Sequence, residues 1–224
     1  MGGYTEATLP TSEPVMYQPS HFIENRPEVL HALVQSHPLA TLVTLSDKGM
    51  DANHIPLLLR VAADGRTSLV GHVARVNPIW KDTDLSVPVL AIFQGPQHYI
   101  SPGWYATKAE HGKVVPTWNY AVVHAKGLLT VHDDAAWVRS QMQQITTQQE
   151  APMDKPWAVD DAPRDYTDKM ISAVVGIEIV VDEWVGKWKV SQNQPPANQT
   201  TVREGLEHQA TDAARTMAGL IPRS

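Results

Sequence analysis

The stretch that most restricts what this chain can become is residues 51–80, DANHIPLLLRVAADGRTSLVGHVARVNPIW. Its apolar, β-branched runs on either side of Asp64-Gly65 predict two β-strands joined by a tight turn. The second strand is expected to break at Gly71-His72 and lead into a short helix at Asn77-Pro78. Within it, Asn53, His54, His72, Arg75 and Asn77 are set among Leu57, Leu58, Leu59, Leu69, Val70 and Val73. A buried polar group left unpaired costs about 1–3 kcal/mol, so these side chains are expected to face one another or a ligand. A cation and several donors where a strand runs into a helix start suit an anion. A phosphate-bearing cofactor is the expected occupant.

Composition narrows the setting. A chain of 224 residues that is 42% hydrophobic can bury a sizeable core. We expect a polar, disordered lead over residues 1–15 and one domain over 16–224. The absence of cysteine excludes disulfides, thiolate metal sites and a cysteine nucleophile, and fits the reducing cytoplasm. No charged-then-apolar leader opens the chain, and no apolar run approaches the ~18 residues of a membrane span. A formal charge of -6 disfavours the broad electropositive face of a nucleic-acid binder.

In chain order, Asn25 with Glu28 three positions on predicts a capped helix whose face is Val29, Leu30, Leu33 and Val34, ended by His37-Pro38. A strand over 39–45, a turn at 46–49 and the two strands of the opening stretch make an antiparallel meander. Residues 88–94 read as a short strand buried on both faces and closed by Gly95-Pro96. Residues 99–116, dense in Gly, Pro and aromatics, read as a long functional loop, with Lys108, Glu110, His111 and Lys113 as its solvated face. A strand bent at Gly127 follows over 117–131. Asp133-Asp134 cap a helix carrying Val138, Met142 and Ile145, and a short helix spans about 166–173. Residues 174–188 form the clearest strand, central in the sheet, with a bulge near Asp182-Glu183. Thr201-Val202-Arg203-Glu204 reads as a capping box opening one final helix, with Val202, Leu206, Ala210 and Met217 on its apolar side. Six or seven hairpin-linked strands with helices inserted and appended imply an α+β protein built on an antiparallel barrel. No βαβ alternation, GxGxxG, GxxxxGK[ST], HExxH or GxSxG occurs, which disfavours doubly wound nucleotide folds, zinc proteases and serine hydrolases.

Several ordered motifs then carry a resemblance. They are Tyr17-Gln18-Pro19-Ser20-His21-Phe22, Asn53-His54-Ile55-Pro56, Gly71-His72-Val73-Ala74-Arg75-Val76-Asn77-Pro78, Tyr99-Ile100-Ser101-Pro102, Thr117-Trp118-Asn119-Tyr120 and Lys189-Val190-Ser191-Gln192-Asn193. Together they resemble the PaiB-type FMN-binding family, whose members carry the label of negative transcriptional regulators. The likeness spans roughly residues 16–220. It implies a split β-barrel of the pyridoxamine-phosphate-oxidase and flavin-reductase type, a homodimer, and FMN at the subunit interface. On that likeness Asn53, His54, Ile55 and Pro56 lie beside the isoalloxazine. His72, Arg75 and Asn77, with Val73 between them, hold the phosphate, for which the two parallel donors of an arginine fork are suited. Thr117, Trp118, Asn119, Tyr120, Lys189 and Gln192 complete the site, in part from the partner subunit.

Plainer roles fit the same residues singly. His54 and His72 suit core histidines bonded to carbonyls, Trp118 and Tyr120 suit packing aromatics, and Arg75 suits a surface pair with Asp82 or Asp84. Three functional classes stay open: a flavin-dependent redox protein with no assigned general base, a flavin-sensing regulator without a helix-turn-helix for direct DNA contact, and a haem-binding or haem-degrading barrel.

Overall fold

The computed structural model describes residues 16–223, so the expected lead over 1–15 lies outside the described residues. Strand β1 (Ile23–Glu24) and helix α1 (Pro27–Ser36) come first. The expected Asn25 cap does not form. Arg26 precedes the helix without a side-chain cap, and Pro27 opens it, a position where the missing N–H costs nothing. Leu30, Leu33 and Val34 form the buried face as expected.

Strands β2 (Leu39–Ser46), β3 (Gly49–Pro56), β4 (Leu58–Val61) and β5 (Thr67–Ala74) are the predicted meander. Strand β5 does not break at Gly71-His72. It pairs continuously with a later strand through Ala74, and Gly71 serves another purpose: a Cβ there would stand 2.8 Å from the Pro56 carbonyl oxygen. The glycine lets β3 and β5 approach closely enough to shut the barrel.

After α2 (Ile79–Asp82), strand β6 (Val89–Ile100) runs on past Gly95-Pro96, where a short strand was expected to stop. Its register shifts between Gln94 and Gln97, so the pair sits in a bulge, where a proline is tolerated. Nor is β6 buried on both faces: Val89, Ala91 and Phe93 point inward, while Leu90 and Ile92 stay half-buried. Helix α3 (Lys108–His111) interrupts the long loop before β7 (Thr117–His132). Helices α4 (Ala135–Glu150) and α5 (Arg164–Ser172) follow, and the Asp134 carboxylate accepts from Trp137 N at 2.7 Å as the expected cap. Strand β8 (Val174–Lys189) is central, lying between β7 and β5. Lys126 pairs with Glu183 and Gly127 with Val181, which leaves Asp182 as the extra residue of the predicted bulge.

The single C-terminal helix of the sequence reading is two helices, α6 (Pro196–His208) and α7 (Asp212–Leu220). Thr201 lies inside α6, its hydroxyl donating to the Ala197 carbonyl at 3.1 Å, because Pro196 already opens the helix. Ala210 at φ 56° then breaks the helical run, and Thr211 caps α7.

The sheet order is β3-β2-β6-β7-β8-β5-β4, with β1 added to β8, all pairs antiparallel. The terminal strands β3 and β4 are joined through Leu57 alone, so the sheet curls back on itself as a split barrel of α+β class. Phe93, Leu42, Leu69, Ile177 and Ile179 fill its interior, with Leu30, Leu33 and Val34 of α1 packed into the same core. A second cluster, including Ile100, Val190, Val202, Leu206 and Met217, seats α6 and α7, and Trp188 and Leu220 pack against both clusters. No helix among the described residues is long and apolar enough to cross a membrane.

Candidate functional site

The residues singled out in the sequence fall into two groups. His72 pairs across β8 Gly176 to His132 at the C-terminal end of β7, whereas Tyr120 near its start pairs with Lys189. Roughly 40 Å of strand lies between Tyr120 and His132, at about 3.3 Å per residue, whereas Asn53 and His54, followed through β2 and β6, are level with Ala125 and His124 in the middle of β7.

The first group surrounds the turn after β5. Asn77 donates from Nδ2 to Asn53 Oδ1 at 2.9 Å, and its own Oδ1 accepts from Ile79 N at 3.0 Å, so one amide ties β3 to the start of α2. His54 and Pro56 are exposed on β3, while Ile55 and Val73 point into the barrel core. His72 lies on the other face of β5 from Val73, its Nδ1 2.8 Å from Oε1 of the fully buried Gln141 on α4.

Arg75 was expected to grip a phosphate with its paired donors, or to meet Asp82 or Asp84. The fork instead meets Asp133, with Nη1 and Nη2 at 2.9 and 2.6 Å from the two carboxylate oxygens. Nε donates to the Ser172 carbonyl and Nη2 also to Val174. An arginine has five N–H donors, so one on Nη1 is left outside these four bonds. Hydrogen bonding to Arg75 holds the Asp133 carboxyl below the usual carboxylate range, and the same contact raises the guanidinium. Lys81, its ammonium 4.6 Å from the Trp80 ring, also lowers Asp133 through its charge. Asp51 also accepts from Asn53 Nδ2 at 3.3 Å and Asp82 from Lys48 at 2.5 Å, so cations and carboxylates are interleaved around this turn.

The second group lines a polar cavity of about 350 Å³ at the other end of the barrel. Thr117, Asn119 and Lys189 contribute to its wall, with His111, Lys113 and Ser191. Lys189 Nζ donates to Thr117 Oγ1 at 2.5 Å, and the buried Asn119 donates from Nδ2 to Ser191 Oγ at 2.9 Å. Gln192 faces the backbone instead: its Oε1 accepts from Val190 N and its Nε2 donates to the Trp188 carbonyl, which fixes the turn after β8. Trp118 is 48% exposed and donates to Gln97 Oε1, while Tyr120 is half-buried with Lys187 Nζ 5.6 Å from its ring. Lys108, Glu110, His111 and Lys113 are exposed, as expected of a solvated loop face, and His111 and Lys113 also border this cavity. The cavity role was not legible, because only the return of the loop onto β8 and α6 brings them to the same cavity as Ser191.

Between the two groups, the outer face of β2 and β6 carries Leu39, Val43, Leu45, Leu90 and Ile92, none of them in either core cluster. His124 of β7 continues that row opposite Ile92, and burial together with the Lys126 charge lowers its pKa.

A split barrel with polar and basic groups at this turn and around the cavity accommodates a flavin, and the comparisons show the class. The family model described as "Putative FMN-binding domain" matches residues 16–183. The chain is 30% identical to the protease synthase and sporulation protein PAI 2 of Bacillus subtilis, covering 92% of this chain and 96% of that one. It is 32% identical to an uncharacterized protein of Emericella nidulans, with the same coverage of each. The fold is similar to that of an FAD and haem binding protein of Mycobacterium smegmatis, with a TM-score of 0.53, 17% identity, and 74% of this chain and 72% of that one covered. The chain belongs to the PaiB-type FMN-binding family, and its cofactor is FMN.

The donor set suits that cofactor. Asn53, His54 and Asn77 offer hydrogen-bonding groups at this turn, and Lys81 with the remaining Nη1 donor of Arg75 supplies positive charge suited to a phosphate monoester.

Proposed function

We propose that the protein is a homodimeric FMN-dependent redox protein in which each flavin lies between two copies. One copy contributes Asn53, His54, Ile55 and Pro56 beside the ring and the turn from His72 to Asn77 at the phosphate. The other contributes Thr117, Trp118, Asn119, Tyr120 and Lys189. The observation that supports this reading is that the cavity lined by Thr117, Asn119 and Lys189 contains none of Asn53, His54, Ile55, Pro56 or the turn from His72 to Asn77. Within one copy the two groups share no cavity, and a two-fold axis would set the first group of one copy against the second group of the other. The aliphatic outer row of β2 and β6 gives such a contact an apolar centre.

In this site Arg75 positions rather than grips. Its bonds to Asp133, Ser172 and Val174 pin the turn to β7, α5 and β8, so that Asn77 and Asn53 are presented in fixed geometry. Gln192 does the same for Lys189. When bound, FMN supplies one- and two-electron transfer; the protein supplies orientation and exclusion of water. Regulation of transcription, where it occurs, then follows from flavin state acting through a partner.

The test is a titration of purified protein with FMN, read by flavin absorbance, alongside sedimentation. We expect saturation at one FMN per chain in a dimer. A monomer that binds FMN tightly would contradict the two-copy site, and absence of binding would contradict the function.

A further inference from the structure

The cavity at the far end of the barrel has a charge character unlike the rest of the chain. The protein as a whole carries 24 acidic against 18 basic residues, yet Lys113, Lys189 and His111 border this cavity and no Asp or Glu does. Neither lysine forms an ion pair among the described residues. The floor consists of polar side chains taken out of water: Asn119, Ser191 and Asn198 are 1%, 3% and 3% exposed.

Two details fix this floor. Asn198 holds the loop, accepting from Thr107 N at 3.1 Å and donating to Thr107 Oγ1 at 3.1 Å. Ser191 takes φ 65°, a conformation that costs a non-glycine residue about 1–3 kcal/mol and is kept where surrounding structure enforces it. The hydroxyl of Ser191 accepts from Asn119, and its own proton has no acceptor among the described residues. The first turn of the 13-residue helix α6, with Pro195 and Asn198, forms another part of the wall and adds the positive end of its dipole.

We propose that this cavity receives the oxyanion, a carboxylate or a phosphate monoester, of a small molecule that exchanges electrons with the flavin. Lys113 and Lys189 supply the counter-charge, and Ser191 and Asn119 supply the neutral contacts. The inference rests on the two-copy flavin site, because Thr117 and Lys189 belong both to that site and to the cavity wall, which puts the cavity next to the cofactor.

The experiment titrates the FMN-loaded protein with inorganic phosphate and, separately, succinate, at constant ionic strength, by calorimetry. Lys113→Gln and the charge-conserving Lys113→Arg are run beside it, with FMN and riboflavin affinities measured for each. We expect saturable binding of one anion, stronger for the true class, weakened about tenfold by Lys113→Gln and restored by Lys113→Arg, with FMN affinity unchanged. No saturable binding, or equal binding by Lys113→Gln, overturns the proposal. Loss of FMN but not riboflavin affinity in Lys113→Gln also overturns it, since the cavity would then hold the cofactor's own phosphate while the flavin reading stood. Lysine-dependent anion binding in a protein that takes up no FMN would sustain the cavity and refute the flavin site.

Discussion

Replacing Gly127 by alanine should destabilise the protein by about 3–5 kcal/mol, lowering the melting temperature by about 10 °C. Gly127 sits on β7 at the bulge where Asp182 is the unpaired residue of β8. A Cβ built there would stand 1.8 Å from the Val180 carbonyl oxygen, 2.8 Å from the carbonyl carbon and 3.1 Å from Val181 Cα. All three are backbone atoms of a central strand, so no side-chain rotation relieves the overlap. The two longest strands must separate, and the bend that closes the barrel goes with them. Gly219 in α7 is the control, since a Cβ there meets nothing within 4 Å. Gly219→Ala should leave stability unchanged or raise it by about 0.5–1 kcal/mol. Equal melting curves for Gly127→Ala and wild type would refute the bulge geometry.

The largest effect on binding should come from Asn77→Asp. The new carboxylate keeps the acceptor that caps Ile79 N, so the start of α2 survives. It replaces the donor to Asn53 Oδ1 with a negative charge at the turn proposed to hold the phosphate. A like charge a few ångströms from a phosphate at intermediate dielectric opposes binding by several kcal/mol before screening. The FMN dissociation constant should rise about a hundredfold, and that of riboflavin, which has no phosphate, by about tenfold or less. Equal losses for the two ligands, measured by fluorescence quenching, would remove this turn from the phosphate site.

The barrel was legible because β-strand alternation and turn residues are local signals. The Asp64-Gly65 turn, the Asp134 cap and the bulge opposite Gly127 all stand where residue type alone predicts them. The misreadings share a cause. Gly71 and Gly95-Pro96 look like strand breakers to a local reading, but Gly71 admits Pro56 of another strand and Gly95 admits Leu33 of α1 at 2.7 Å from a notional Cβ. Tertiary approach decided both. The capping box at Thr201 lost to Pro196 five residues earlier, whose fixed φ opens a helix without help.

The candidate site was legible in part. Asn53 and Asn77 do meet, because a strand end and a strand-to-helix turn can touch only where the barrel closes. That Arg75 pairs with Asp133 was not legible, since the pair spans 58 positions and either residue alone reads as surface charge. The cavity at the far end was hidden for the same reason: Lys113 reaches Asn119 and Ser191 only through the fold.

The account depends on one flavin being held by two chains, and mixing two damaged proteins tests that directly. Asn77→Asp disables the first group and Lys189→Glu the second, so neither protein alone should bind FMN tightly. After unfolding and refolding together, about half the dimers are mixed, and each mixed dimer contains one site built from two intact halves. The account predicts tight FMN binding regained at about one chain in four. A mixture that binds no more FMN than its parents would show that each site lies within a single chain.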